Sequence, residues 1–239
     1  MPNMNRSVRS PRTFNTKLEA FSQERDLLNK RNLGSGKIYV ESYLRSEVIL
    51  GSDSRISFEI QENVSSGLAI RKTEKRLKQS DTFTVTGIGF FIGRCVNLSS
   101  GTNSGFVIPR CFPNPQIFSG VTTVTEANEL QKIYNGFMTV QRDQTKYFEA
   151  LPMMDHYCVT EAQQGVAVST VATTGLYQRD GHFNREQGFR KINPTFDIVG
   201  TKKCEISIQL PDTAVMTCQT AGSDNIGILI LRGLVEQRR

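Results

Sequence analysis

The only imidazoles in this 239-residue chain are His156 and His182, so acid–base or metal chemistry would have to be built around one or both. The richest spot is Asp155-His156-Tyr157-Cys158, where a carboxylate, an imidazole and a thiol are close in sequence. A thiol beside a cationic imidazole is an activated nucleophile. In an extended segment, however, side chains alternate, which would put His156 and Cys158 on one side and Asp155 on the other. The expectation is therefore an ordinary buried thiol at Cys158 and a surface histidine at His156. A metal site from His156, Cys158 and His182 would need three ligands to converge from one long loop, with no helical or knuckle spacing behind them.

Gly87-Ile-Gly89-Phe-Phe-Ile-Gly93 resembles a dinucleotide fingerprint at first sight. Its third glycine lies one residue too far on, and the glycines sit in an apolar strand with no helix opening after them. The phosphate cradle is missing. The chain contains no G-x-x-x-x-G-K-[ST], no G-x-S-x-G and no H-E-x-x-H. Glu41 with Glu47, and Glu59 with Glu62, are expected as solvent-facing strand residues rather than as acid–base pairs. No catalytic residue, metal ligand or cofactor is assigned, and the chain is not expected to be an enzyme.

The charge offers a different chemistry. The formal net charge is +6, and it is concentrated in two places. Arg6, Arg9 and Arg12 stand on a polar N-terminal arm without an acid, and Arg71, Lys72, Lys75, Arg76 and Lys78 face Glu74 alone. The arm suits non-specific contact with phosphates, which releases counterions. The second run has no interleaved aromatics and so lacks a stacking surface for single strands. A solvated or intersubunit face is expected there.

These residues have to be held by something, and the size allows one large β domain or two small ones. Hydrophobic residues make up 38% of the chain, enough for a core, yet no apolar run approaches the roughly 20 residues of a membrane helix. A soluble protein is expected. The first residues carry arginines but no apolar stretch or small-residue cleavage site, so no secretory signal is expected. Cys95, Cys111, Cys158, Cys204 and Cys218 are odd in number, scattered and free of C-x-x-C spacing. They read as reduced thiols of a protein made in the cytoplasm.

Residues 1–13 read as a flexible arm. Thr16-Lys17-Leu18-Glu19 opens a helix to about residue 31, with Leu18, Phe21 and Leu28 as a thin apolar stripe suited to docking on a neighbouring subunit. Alternation over 38–50 puts Ile38, Val40, Leu44, Val48 and Leu50 on a buried face. Further strands are expected at 56–60, 83–92, 196–199, 205–210 and 215–217. The nearly all-apolar 226–235 is expected as a central strand covered on both faces. Residues 97–118 read as loop. Residues 153–191 form a long excursion with at most a short strand near Val166, Val168 and Val171; such excursions are often contact elements.

Between them lies the most informative stretch, 126–151. Ala127, Leu130, Ile133 and Tyr134 fall at helical spacing, and Thr123 with Glu126 has the form of a capping box. Asn135-Gly136 supplies residues that tolerate positive φ. From Phe137 the period becomes two, with Met138 and Val140 on one face, until Asp143-Gln144 turns the chain back. The rival is a hairpin pairing 130–134 with 137–141 across the Asn-Gly. In all, about eight strands at sandwich-like spacings are expected.

Two segments carry a resemblance. Glu129-Leu-Gln-Lys-Ile-Tyr-Asn-Gly-Phe-Met-Thr-Val-Gln followed by Tyr147-Phe-Glu-Ala-Leu-Pro152 resembles the helix-then-strand segment of jelly-roll capsid proteins of tailless icosahedral bacteriophages. Ile228-Leu-Ile-Leu-Arg-Gly-Leu-Val-Glu236 looks like their final strand. The resemblance implies a mainly all-β fold: a jelly-roll-type antiparallel β-sandwich over 36–239, with an N-terminal helix and one short internal helix, preceded by a basic arm and docking helix over 1–35. It further implies a structural virion protein, a capsid shell subunit that is made in the host cytoplasm and self-assembles around the genome. Its partners would be other copies of itself, other virion proteins and, through Arg6, Arg9 and Arg12, genomic nucleic acid. The alternative is a β-sandwich receptor- or carbohydrate-binding module, a virion spike or adhesin. It would use the 153–191 region, with Tyr157, Tyr177, His182 and Phe183 as contacts.

Overall fold

The computed structural model describes residues 37–62, 73–96, 107, 109–114, 118, 125–159 and 188–238. The expected arm and docking helix fall outside them, as do Thr123, Arg71, Lys72 and the strand near Val166. The chain divides into two compact units. The smaller is Met1–Val40 with Glu236–Arg239, and the larger is Glu41–Val235. In the smaller unit the Tyr39 hydroxyl donates to Glu236 at 3.4 Å.

Eight strands are described: β1 (Lys37–Ile49), β2 (Ser52–Glu59), β3 (Thr82–Val96), β4 (Phe137–Arg142), β5 (Thr145–Pro152), β6 (Phe189–Val199), β7 (Cys204–Val215) and β8 (Ser223–Arg238). One short helix, α1 (Thr125–Gln131), runs into a 3-10 turn, η1 (Lys132–Asn135), and a second turn, η2 (Met153–His156), follows β5. The strands form two four-stranded sheets, in the orders β1-β8-β3-β6 and β2-β7-β4-β5. The pairings β2 with β7, β3 with β6, β4 with β5 and β4 with β7 are antiparallel. The fold is thus an all-β antiparallel sandwich with few helices. No helix among the described residues is long and apolar enough to cross a membrane.

Alternation makes the larger unit's core. Met138 and Val140 of β4, Ile206 and Ile208 of β7, and Phe83 and Phe90 of β3 are all fully buried, and they belong to one cluster lined by both sheets. Phe58 of β2 meets Phe90 edge-on at 6.2 Å between ring centres, and Phe90 meets Tyr134 of η1 at 6.0 Å. Such pairs add roughly 0.5–1.5 kcal/mol each beyond the area they bury. A second cluster covers the other side of β3 and β8, where Phe91, Cys95, Ile226 and Ile228 pack with Val107 and Cys111. β8 lies inside its sheet with Leu229 and Leu231 in the first cluster and Ile226 and Ile228 in the second, so its unbroken apolar sequence reflects burial on both faces.

The stretch 126–151 folds as helix, turn and two strands, and the hairpin rival is excluded. β4 instead pairs with β5 and β7. Two details differ from expectation. Gly136 has φ −83°, so positive φ is not its reason. A Cβ there would stand 2.5 Å from the Gln209 carbonyl oxygen, and only glycine lets η1 hand the chain to β4 so close to β7. Asp143 is the residue that takes positive φ, at 51°, in the turn before β5. Glu126 is no simple cap. Its side chain is fully buried and accepts from Arg94 of β3, from Asn225 of β8 at 2.6 Å and from the Gln219 amide at 3.3 Å.

Other acids and apolar residues also moved from their expected sides. Glu47 is buried rather than solvent-facing, because Arg45 Nε donates to it at 2.7 Å. Ile38 and Val40 are exposed although they share the parity of the buried Leu44. Within the larger unit, Leu44 is the first β1 residue to join the core.

Candidate functional site

The residues named from sequence for nucleic acid, Arg6, Arg9 and Arg12, and for a subunit interface, Leu18, Phe21 and Leu28, lie outside the described residues. So do Tyr177, His182 and Phe183. Tyr157 is described, and its ring packs at 5.0 Å on Tyr134 and at 6.4 Å on Phe112.

The second basic run is not one solvated face. Arg45 and Lys75 exchange main-chain hydrogen bonds of 2.8 and 2.9 Å, so Lys75 bridges β1, the outer strand of its sheet, while Leu77 bonds Ile60 and Glu62 just past β2. Arg76 turns inward, its side chain 6% exposed, to pair with Glu59 at 2.9 Å and Glu74 at 3.2 Å. Lys75 and Lys78 stay exposed. The run thus meets the outer edge of β1 at Arg45 and satisfies main-chain groups there that would otherwise be unpaired. Sequence reading missed this because the pairing joins positions about thirty residues apart, and strand pairing leaves no local period.

Asp155 and His156 lie in the 3-10 turn η2, and the chain becomes extended at Tyr157. His156 is completely buried, not at the surface, and its Nδ1 lies 2.9 Å from the Gly188 carbonyl oxygen. Nδ1 must therefore carry the proton, and Nε2 is left without a partner among the described residues. Burial, the largest influence, pushes the imidazole pKa below its ordinary value against the Gly188 bond and Asp155, with Arg190 adding to the downward push. Such an imidazole is neutral, and neither of its nitrogens hydrogen-bonds the Cys158 thiol. Asp155 pairs with Arg190 on the outside. Cys158 is half-buried, not buried, and its amide donates to the Cys111 carbonyl at 3.3 Å. No group of three or more His, Cys, Asp and Glu among the described residues is placed to hold a metal ion.

A surface feature stands close to this segment. Phe137 opens β4 directly opposite Pro152, which closes β5, so the two side chains share one face of the sheet. Phe137 is 40% exposed, and Met154 on the adjoining η2 is 57% exposed. An aromatic ring, a proline and a methionine grouped at one sheet end are suited to contact with another protein surface. Alternation set Phe137 on the face opposite Met138 and Val140; nothing local marked its pairing with Pro152.

No family model matches the chain, and no curated protein or solved structure matches it either.

Proposed function

We propose that this chain is a structural virion protein, an icosahedral shell subunit that assembles with copies of itself around a genome, and that its sandwich is a single jelly roll. The observation that carries the reading is the nesting of the strands. One sheet holds the pairs β1 with β8 and β3 with β6; the other holds β2 with β7 and β4 with β5. A long hairpin rolled on itself leaves this alternation between sheets, and the double-sheet roll recurs in capsid and lectin domains. The function itself rests on fold analogy and on the resemblance of residues 129–152 and 228–236.

Three further features support it. The space between the sheets is filled by side chains such as Phe58, Phe83, Phe90 and Leu130, as suits a rigid scaffold. Lys75 pairs with the outer strand β1 at Arg45, which blunts edge pairing at that point. The Phe137, Pro152 and Met154 face offers apolar contact for a neighbouring copy, in keeping with symmetric self-association.

Negative-stain imaging of the purified full chain tests the reading. Closed shells of uniform diameter are expected. Isolated monomers or trimers would overturn the shell reading and favour a receptor- or carbohydrate-binding module on the same sandwich.

A further inference from the structure

Three of the five thiols gather on one satellite core. Cys95 and Cys111 are buried members of the cluster on the outer side of β3 and β8, and the half-buried Cys158 packs against it. Their separations follow from main-chain pairing. Ile92 and Arg110 exchange hydrogen bonds of 2.8 and 2.9 Å as an antiparallel bridge, which sets Cys111 opposite Phe91. Cys95 then lies four positions further along β3, about 13 Å from Cys111 at strand rise. Beyond that bridge the Cys111 carbonyl accepts from the Cys158 amide at 3.3 Å. An antiparallel pair that exchanges both such bonds has Cα atoms roughly 5.5 Å apart, inside the 4.4–6.8 Å span of disulfides, and Cys111 and Cys158 share one of the two.

We propose that Cys111 and Cys158 are a disulfide-forming pair, oxidised by a small-molecule disulfide of the glutathione class. The Cys158 thiol, the more accessible of the two, loses its proton to solvent, and its sulfur attacks one sulfur of R-S-S-R. A Cys158–SR bond forms and R-S⁻ leaves, taking a proton to become RSH. Cys111 then gives its proton to solvent and attacks the Cys158 sulfur. The Cys111–Cys158 bond forms and the second RSH departs. Two protein thiols lose two electrons, and one R-S-S-R gains them. The order follows from burial. The Cys111 thiol is pushed up to about 12, first by burial and then by charge on Cys158. Capping Cys158 removes the second of these.

The bond would tie the segment after β3 to the segment after η2. The loop it closes, roughly fifty residues long, contains α1, β4 and β5, so the bond would restrict the unfolded chain and stabilise the fold. The pair stands on main-chain geometry and is independent of the shell reading. The sequence hid it: no C-x-x-C spacing exists, and an odd count of scattered thiols reads as unpaired.

The test equilibrates the reduced full-length chain with oxidised glutathione, then maps linked peptides by mass spectrometry and counts thiols after unfolding. The expected result is a single intramolecular link between Cys111 and Cys158, with three thiols left. A melting temperature about 5–10 °C above that of the reduced protein should accompany it. A Cys111→Ser chain should stop at a glutathione adduct on Cys158, whereas Cys95→Ser should form the link as the wild type does. Retention of all five thiols, a link between any other pair, or a wild-type chain arrested as the mixed disulfide would overturn the proposal. The wild-type map decides it even if a variant fails to fold.

Discussion

Glu126 joins three parts of the larger unit through one carboxylate: α1, which carries it, and Arg94 of β3 and Asn225 of β8, which hold it. Asn225 is fixed in turn by the Met216 carbonyl at 2.9 Å. Removing one partner of a buried ion pair leaves the other uncompensated, so Glu126→Ala should cost roughly 3–5 kcal/mol, read as a lowered urea midpoint at unchanged slope. An unchanged midpoint would show that Arg94 finds water instead. His156 gives a pH signature. Its folded pKa lies below the ordinary value, so its contribution is complete above about pH 6.5, where folded and unfolded chains both hold it neutral. As pH falls below that value the unfolded chain takes up a proton that the folded chain refuses. Stability then declines until the lowered folded pKa is reached. Urea midpoints measured from pH 8 to 5 should fall more steeply for the wild type than for His156→Gln; parallel curves would contradict the buried neutral imidazole. Neither role was legible in sequence. Glu126 fitted a capping pattern and His156 looked like a loop residue, because burial is decided by elements remote in the chain.

At the level of elements, local periodicity carried much of the fold. The period of two put Met138 and Val140 on one face, which is the buried one, and the helical spacing of Ala127, Leu130, Ile133 and Tyr134 placed four residues that are all buried. The all-apolar run before Val235 marked an inner strand. Edges escaped, since Arg76 and its acids belong to a pairing with no local pattern, and exposed lysines beside it have the same charge. Gly136 shows a right residue with a wrong reason. Gly136→Ala should cost about 1–3 kcal/mol through its contact with the Gln209 carbonyl, in spite of an ordinary φ. Denaturant unfolding checks this, and a neutral substitution would mean that η1 can withdraw from β7.

For the whole molecule, charge and apolar surface are what a self-assembling shell would use. The cluster of Arg6, Arg9 and Arg12 was visible in composition. The Phe137, Pro152 and Met154 face emerged only when β4 and β5 were paired. Sandwich topology was legible as a strand count and not as an order, because the order is set by contacts between strands far apart in sequence, such as β1 with β8. The disulfide pair would stiffen one subunit without deciding whether subunits meet. Light scattering of the purified full chain across a concentration series measures that meeting directly. Particles of one large, well-defined mass, persisting on dilution, are the predicted result; a mass that stays at a single 26.8 kDa chain would contradict the shell.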